Sequence, residues 1–402
     1  MEKSLMFSLC SVGFLARFSY ALARNPVLPL FALFLGAGPE AIGLAVGIST
    51  VTGIIFKLPA GALSDIVGRR KTMLIGLAFF AVIPFAYFFI ASYPALVIVR
   101  FLHGFATAVY GPVAMAVVAD AAGQQKGEML SWFSSVSIIG ALCGAPVGGF
   151  LLSLPDGGEQ GATPFMILYA LVAASGVIAF ALGVKTLPVK DARTASPSGQ
   201  SRLAAFLAGI REVGGDRRVL VTSGMEGAQH MALGALEAFL PIYAVTVAGL
   251  SPFQAGLLWA VQVLATIIAK PFMGRFSDRC GRKHVIAGGL LCCALPFACI
   301  PWLSSFSLLM IACLVFGFGE ALVTSSSAAM VADFCKAGRY GAAMGAFGAI
   351  YDIGHAAGPI LGGMLVGGFG YAVAFGLMAG MLLIAMLVFL HVLREKTDSV
   401  PL

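Results

Sequence analysis

The feature that most constrains this chain is its series of long apolar runs, each bounded by polar or charged residues. A helix that crosses ~30 Å of hydrocarbon needs ~20 apolar residues, which is the approximate length of these runs. With 59% hydrophobic and 11% charged residues, the chain carries more apolar surface than a water-soluble core can bury. The sequence therefore predicts an all-α membrane protein with twelve transmembrane spans, at 6–34, 41–63, 72–92, 95–118, 129–153, 163–184, 219–247, 252–274, 285–304, 307–332, 340–367 and 371–393.

The formal net charge of +7 would suit a nucleic-acid-binding protein, but the positions of the basic residues exclude that class. Most of the 25 Lys and Arg residues lie at the termini or in every second loop, and the intervening loops carry only acids. By the positive-inside rule, both termini of a multi-pass protein of the cell (inner) membrane then lie in the cytoplasm. We expect its partners to be membrane lipid and a small-molecule solute, with no nucleic acid, and we expect a monomer.

One long hydrophilic stretch, rich in Pro, Ser and basic residues, interrupts the chain after the sixth span. It predicts an N-terminal six-helix bundle at 1–186, a cytoplasmic linker at 187–217 and a C-terminal six-helix bundle at 218–402.

The two halves are similar in sequence. An offset of 213 residues, the separation of Lys57 and Lys270, also aligns Gly104 with Gly317. The same offset aligns the Val-Ala-Asp sequences at 118–120 and 331–333. Such a coincidence of unlike residues indicates a duplicated unit. In transporters, duplicated halves can move against each other around a fixed site.

Two loops related by this offset have the spacing Gly-x-x-x-Asp-x-x-Gly-Arg. The glycines allow a tight turn or a close helix approach. The Asp ends one helix beside a basic cluster and can bind Arg, which predicts a lock that holds one gate shut and breaks when the halves tilt. The predicted gating residues are Gly61, Asp65, Gly68, Arg69 and Arg70 in the first loop, and Gly274, Asp278, Gly281 and Arg282 in the second.

These loops resemble the signature loop of the major facilitator superfamily, and the resemblance covers essentially the whole chain. It implies two pseudo-symmetric six-helix bundles and transport by alternating access, with spans 1, 4, 7 and 10 lining a central cavity. Arg100 followed by Gly104 is similar to the family's second motif, in which a buried Arg is implicated in proton coupling. The alternative for Arg100 is a side chain that reaches the membrane interface.

Glycines in the fifth and eleventh spans resemble the family's proton-antiporter signature, and small residues at this spacing let helices touch along their backbones. Asn25–Pro29 is similar to the first-span motif of drug:proton antiporters, but Arg17 stands where tetracycline exporters carry an acid. The predicted helix-packing residues are Gly140, Gly144, Pro146, Gly354, Gly358 and Pro359.

Ionisable residues inside the membrane are costly and are candidates for a functional role. Here they concentrate in spans 1, 4, 7, 10 and 11, which gives the candidate binding and coupling residues Arg17, Arg24, Arg100, Glu226, His230, Glu237, Glu320 and Asp352. Two interpretations stay open. Either Arg17 and Arg24 bind an anionic solute while an acid carries the proton, or Arg and acid pair as a gate and the solute is neutral or cationic. Phe85, Tyr87, Phe88 and Phe89 are expected to face lipid or the interface.

The sequence has no paired-cysteine metal site, phosphate-binding loop or nucleophile elbow, so we expect no enzyme activity, no metal and no cofactor beyond a coupling proton. These features favour a secondary active transporter for a small organic solute, with proton-coupled efflux as its mode. The alternatives are a proton-coupled carrier of an organic anion, an uncoupled facilitator, and a membrane-embedded enzyme or sensor.

Overall fold

The computed structural model describes residues 2–122, 125–155, 162–187, 217–334 and 340–393, and within these ranges it contains helices and no strands. Short 3-10 turns follow two of the helices, at Tyr87–Phe89 and Ile300–Trp302. The α-helices in chain order are α1 (Glu2–Leu22), α2 (Val27–Phe34), α3 (Pro39–Val67), α4 (Arg69–Ala86), α5 (Tyr93–Ala121), α6 (Lys126–Leu152), α7 (Thr163–Thr186), α8 (Arg217–Thr246), α9 (Pro252–Cys280), α10 (Arg282–Cys299), α11 (Phe306–Phe334) and α12 (Tyr340–Val392).

The helices confirm the predicted all-α membrane fold with twelve spans. In the described chain, ten stretches have the length and composition of a membrane span. One of them, Ala343–Val392, contains both of the last two predicted spans, which meet at Gly370, where φ is 77°. The predicted seventh span is α8, which is not among the ten because several polar side chains lower its hydropathy.

The first predicted span, 6–34, is not one continuous helix. It divides into α1 and α2 at the segment 23–26. Pro26 cannot donate a backbone hydrogen bond and restricts the residue before it, so a break at this point is expected physically. The chain keeps its direction, since the amide of Leu28 still donates to the oxygen of Arg24 at 2.9 Å. The break therefore places Arg24 at the junction of two helical segments.

Packing contacts group the chain into two compact units. The first consists of Met1–Leu203 with Glu237–Ala260, and the second of Ala204–Leu236 with Val261–Leu402. The boundary between them passes through α8 and α9. The predicted linker at 187–217 lies outside the described residues, apart from its first and last positions.

The predicted packing glycines lie at close helix contacts. In the first unit, a Cβ on Gly140 would meet the backbone oxygen of Phe14, and one on Gly144 would meet the backbone of α1. In the second unit, a Cβ on Gly354 would overlap Gly227, and one on Gly358 would overlap Met231. The fifth and eleventh spans thus pack on the first and seventh through equivalent glycine contacts, because only a residue without a side chain permits this approach.

Candidate transport site and gating contacts

Arg24 and Glu237 form an ion pair in the first unit. The Nη2 atom of Arg24 lies 3.0 Å from the Oε2 atom of Glu237, and both side chains are largely buried. The indole Nε1 of Trp259 lies 3.5 Å from the other carboxylate oxygen. Positions 24 and 237 are equivalent at the repeat offset of 213 residues, so the pair joins the same place in the two repeats. This contact favours the gate interpretation for Arg24.

Arg100 is fully buried in the first unit and does not reach the interface. Its Nη2 donates to the hydroxyl of Ser49 at 2.8 Å, and its Nη1 donates to the hydroxyl of Tyr87 at 3.5 Å. The guanidinium also lies 5.5 Å from the ring centre of Tyr20, within the range of a cation–π contact. Its hydrogen-bond acceptors in the described chain are thus hydroxyl groups.

Tyr87 corrects an expectation drawn from the sequence. It is buried, and not lipid-facing as predicted, whereas Phe85 and Phe89 are exposed. Its hydroxyl lies 3.1 Å from Nδ1 of His103 and accepts from Arg100, and its ring stacks on Tyr169 with centroids 4.2 Å apart. The polar group at the end of the ring explains the difference, because a buried tyrosine hydroxyl seeks a partner.

Glu320 lies in a buried polar cluster of the second unit. Its carboxylate oxygen Oε2 accepts from Nε2 of Gln262 at 2.5 Å and from the hydroxyl of Thr266 at 3.0 Å. The side chain is 7% exposed. Both donors are neutral residues of α9, and sequence reasoning did not select either of them.

Gln262 and Ser49 occupy equivalent positions of the repeat. A Cβ on Gly317 would meet the backbone oxygen of Gln262, just as one on Gly104 would meet that of Ser49. Each glycine therefore brings two helices together beside a charged residue, Arg100 in one unit and Glu320 in the other. A polar side chain at each of these equivalent positions, beside a repeated glycine, is the signal that could have found Ser49 and Gln262.

Glu226 and His230 form a second buried group in this unit. His230 Nδ1 lies 3.7 Å from the carboxylate of Glu226 and 3.1 Å from its backbone oxygen. Glu226 is 3% exposed. The ring of His230 packs against Tyr351, with centroids 3.9 Å apart, and lies 6.3 Å from that of His355. Titratable side chains of α8 and α12 thus contact one another inside one unit.

Buried hydroxyls lie on the same helices as these acids. Thr222 and Ser223 precede Glu226 by about one turn, and Ser326 follows Glu320 on α11. All three are fully buried, and their hydroxyl oxygens have no hydrogen-bond partner in the described chain. An unsatisfied buried polar group costs ~1–3 kcal/mol, so such groups in a native fold call for an explanation.

Two further candidate residues, Arg17 and Asp352, are not fully buried. Arg17 is exposed on α1, and Asp352 is half-buried on α12 next to Tyr351. The structure therefore brings Arg24 together with Glu237, and Glu226 with His230, but it does not place Arg17 in either group.

The two predicted gating loops make equivalent contacts. Arg69 pairs with Asp120 in the first unit, and Arg282 pairs with Asp333 at 3.2 Å in the second. Arg282 also lies 3.2 Å from Asp278. The contacts with Asp120 and Asp333 join the loops to the last turns of α5 and α11, so each Arg links two helices of its own unit.

One glycine of each loop has a left-handed backbone. The φ angle is 107° at Gly68 and 85° at Gly281, a region that other residues rarely adopt. Arg70 donates to the backbone oxygen of Val184 at 3.1 Å.

Among the described residues, no group of three or more His, Cys, Asp or Glu side chains is arranged to hold a metal ion.

Comparison with known proteins adds the evolutionary context. The family model of the Major Facilitator Superfamily matches residues 9–261 and 227–401. An uncharacterized MFS-type transporter of Methanocaldococcus jannaschii is 23% identical over 379 residues, covering 94% of this chain and 90% of that protein. The multidrug transporter MdfA of Yersinia pestis is 26% identical over 294 residues, covering 72% of this chain and 68% of MdfA. Among solved structures, the nucleoside transporter NupG has a TM-score of 0.81 at 16% identity, covering 98% of this chain and 100% of NupG.

Proposed function

We propose that this chain, which belongs to the Major Facilitator Superfamily, is a proton-coupled secondary transporter that exports a small organic solute by alternating access. The family accounts for membrane transport of a small solute. Coupling to protons, the direction of transport and the class of solute are our inferences from the site.

The observation that carries the proposal is the pair of buried carboxyl groups in the second unit. Glu226 and Glu320 lie among neutral donors, a histidine and buried hydroxyls, on helices α8 and α11. Acids and histidines inside membrane segments are the groups that form proton relays in transporters. Hydroxyls without internal partners suit a surface that meets water or a polar solute during the cycle.

The pairing of Arg24 supports a solute that is not an anion. Because Glu237 already neutralises Arg24, this arginine is a poor candidate for binding a solute carboxylate in the same state. Arg100 is enclosed among hydroxyls, which leaves Arg17 as the exposed basic candidate in the first span. We therefore favour a neutral or cationic solute over the organic-anion alternative.

Efflux is supported by two resemblances. The glycines of the fifth and eleventh spans match an antiporter signature and lie at helix contacts, and MdfA, one of the relatives, is named a multidrug transporter. By the positive-inside rule, we expect the inner opening of the transporter to face the cytoplasm.

A reconstitution experiment tests the proposal. A thermal-shift screen first compares ethidium, a cation, with para-aminohippurate, an anion. The stabilising probe is then offered to proteoliposomes with an acidic interior. We expect the probe to accumulate against its gradient, and we expect a protonophore to abolish accumulation. Flux that ignores both the pH gradient and the protonophore would favour a facilitator, and accumulation of para-aminohippurate alone would favour the anion carrier.

Substitution of Glu320 separates proton coupling from solute transport. Glu320→Gln should still equilibrate the probe but should not concentrate it, because an amide cannot exchange a proton. Glu40→Gln, at the exposed start of α3, serves as the matched control and should behave as the wild type.

A further inference from the structure

A groove lies along the first turns of α1 and α6, at the end of the bundle that carries the N-terminus. It has a volume of about 520 Å³ and belongs entirely to the first unit. Cavities of ~300–1,000 Å³ hold drug-sized ligands. The groove shares no residue with the buried carboxyl groups of the second unit, and it is not part of the site described above.

Glycine contacts and bulky residues explain why the groove forms here. The two helices touch within this stretch and just beyond it, because a Cβ on Gly13 would meet the ring of Phe133 and one on Gly140 would meet the backbone of Phe14. Large side chains flank this contact, including those of Phe7 and Trp132. The groove therefore lies beside the contact between the two helices.

The lining combines apolar and aromatic surface with one carboxylate. Phe7 is 76% exposed and Trp132 is 60% exposed, so both rings are available to a ligand. Methionines and a cysteine complete an adaptable apolar surface. Among the residues that line the groove are Met6, Phe7, Phe14, Glu128, Met129 and Trp132.

Glu128 gives the groove its charge. It is exposed in the first turn of α6, and no ion pair to it is present in the described chain. The π-faces of Phe7 and Trp132 also attract cations and repel anions. The volume, the apolar lining and the negative charge of the groove thus all suit a ligand that is both apolar and positively charged.

We propose that this groove is a binding site for an amphipathic organic cation, whose apolar part lies between α1 and α6 and whose charge faces Glu128. It deepens the proposed function, on which it rests, because it names the solute class and a first contact for it. On the predicted topology this end faces the cytoplasm, so the groove is where a solute would be collected before export.

Trp132 provides a direct readout of occupancy. Bromine quenches tryptophan fluorescence only near contact, so para-bromobenzyltrimethylammonium is a suitable cationic probe and para-bromobenzenesulfonate its anionic counterpart. In the full chain in lipid nanodiscs, we expect the cation to quench and the anion to quench far less. The quenching should disappear in Trp132→Phe, since the other two tryptophans, Trp259 and Trp302, lie outside the groove.

Two variants test the role of the carboxylate. Glu128→Gln should weaken the apparent affinity of the cation about fivefold, the scale of an exposed ion pair, whereas Glu40→Gln should leave it unchanged. Equal quenching by cation and anion, an unchanged affinity in Glu128→Gln, or quenching retained in Trp132→Phe would each overturn the proposal.

Brominated lipid distinguishes a lipid-filled groove. If brominated acyl chains quench Trp132 and the unbrominated cation does not relieve that quenching, the groove holds lipid and the proposal is wrong. Failure of the groove proposal can be distinguished from failure of the proposed proton coupling. Glu320→Gln should lose accumulation of the probe but keep the quenching of Trp132. If the cation does not quench Trp132 while proton-driven transport is intact, only the groove proposal is refuted.

Discussion

The pair between Arg24 and Glu237 gives a quantitative test of the gate interpretation. Its two charged atoms are 3.0 Å apart, and the side chains are only 18% and 10% exposed. At this separation the gross attraction is about 5–6 kcal/mol for an effective dielectric constant of ~20, most of which is offset by the cost of desolvation. A hydrogen bond to a charged group contributes ~1.5–3 kcal/mol net, so we expect a coupling free energy of about 2 kcal/mol.

A double-mutant cycle measures this coupling. Arg24→Gln, Glu237→Gln and the double variant are compared by their free energies of unfolding in mixed micelles. Each single change should cost about 3 kcal/mol, because it leaves a largely buried charge without its partner, and the second change should cost much less. Arg17→Gln combined with Glu237→Gln is the matched control. Arg17 is exposed on the same span, so that pair should be additive within about 0.5 kcal/mol.

The repeat adds a sharper expectation for the same pair. Since positions 24 and 237 are equivalent in the two halves, the exchanged variant with Arg24→Glu and Glu237→Arg should recover most of the coupling. A coupling below about 0.5 kcal/mol in the first cycle, or an exchanged variant no more stable than the uncharged double variant, would refute the argument.

Three further predictions concern packing, the gating loop and the acid of the second unit. Gly358→Ala should destabilise the fold by about 1–3 kcal/mol, because its Cβ would overlap the backbone of α8, whereas Gly368→Ala, with open space around it, should be nearly neutral in thermal unfolding. Asp278→Asn should slow turnover more than it weakens solute binding, since the lock acts on conformational exchange; a shifted affinity with an unchanged rate would contradict this. Gln262→Leu should lower stability by about 1–3 kcal/mol by removing a donor to buried Glu320, and Glu320→Gln should restore part of the loss; equal stability of both variants and the wild type would show that this contact has no structural role.

The sequence predicted the number of spans, the repeat and the glycine contacts well, because each depends on a local or periodic pattern. Gly140 and Gly354, for example, are found at helix contacts as their spacing indicated. The break at Pro26 was missed because apolar residues resume directly after it, at Val27 and Leu28, and the total length fits one span. Partners such as Tyr87 were beyond reach, since a single tyrosine at the end of a span has no feature that distinguishes an interfacial position from a buried one.

The charged residues show the same limit. Sequence alone selected four charged residues by their cost inside a membrane, namely Arg24, Glu237, Glu226 and Glu320. It left open whether Arg24 binds an anionic solute or pairs with a carboxylate side chain of the protein. That choice depends on which groups lie within hydrogen-bond distance, and the contact with Glu237 favours one of them. Gln262 escaped selection because uncharged polar residues are common in membrane helices.

Proton movement during transport is the most direct test of the central claim, that buried acids of the second unit couple export to protons. Purified protein is placed in liposomes that contain a pH-sensitive dye, and an ethidium gradient is imposed. The account predicts that ethidium flux drives protons in the opposite direction in the wild type, and that Glu320→Gln exchanges ethidium without moving protons. Ethidium flux without proton movement in the wild type, or unaltered proton movement in Glu320→Gln, would contradict it.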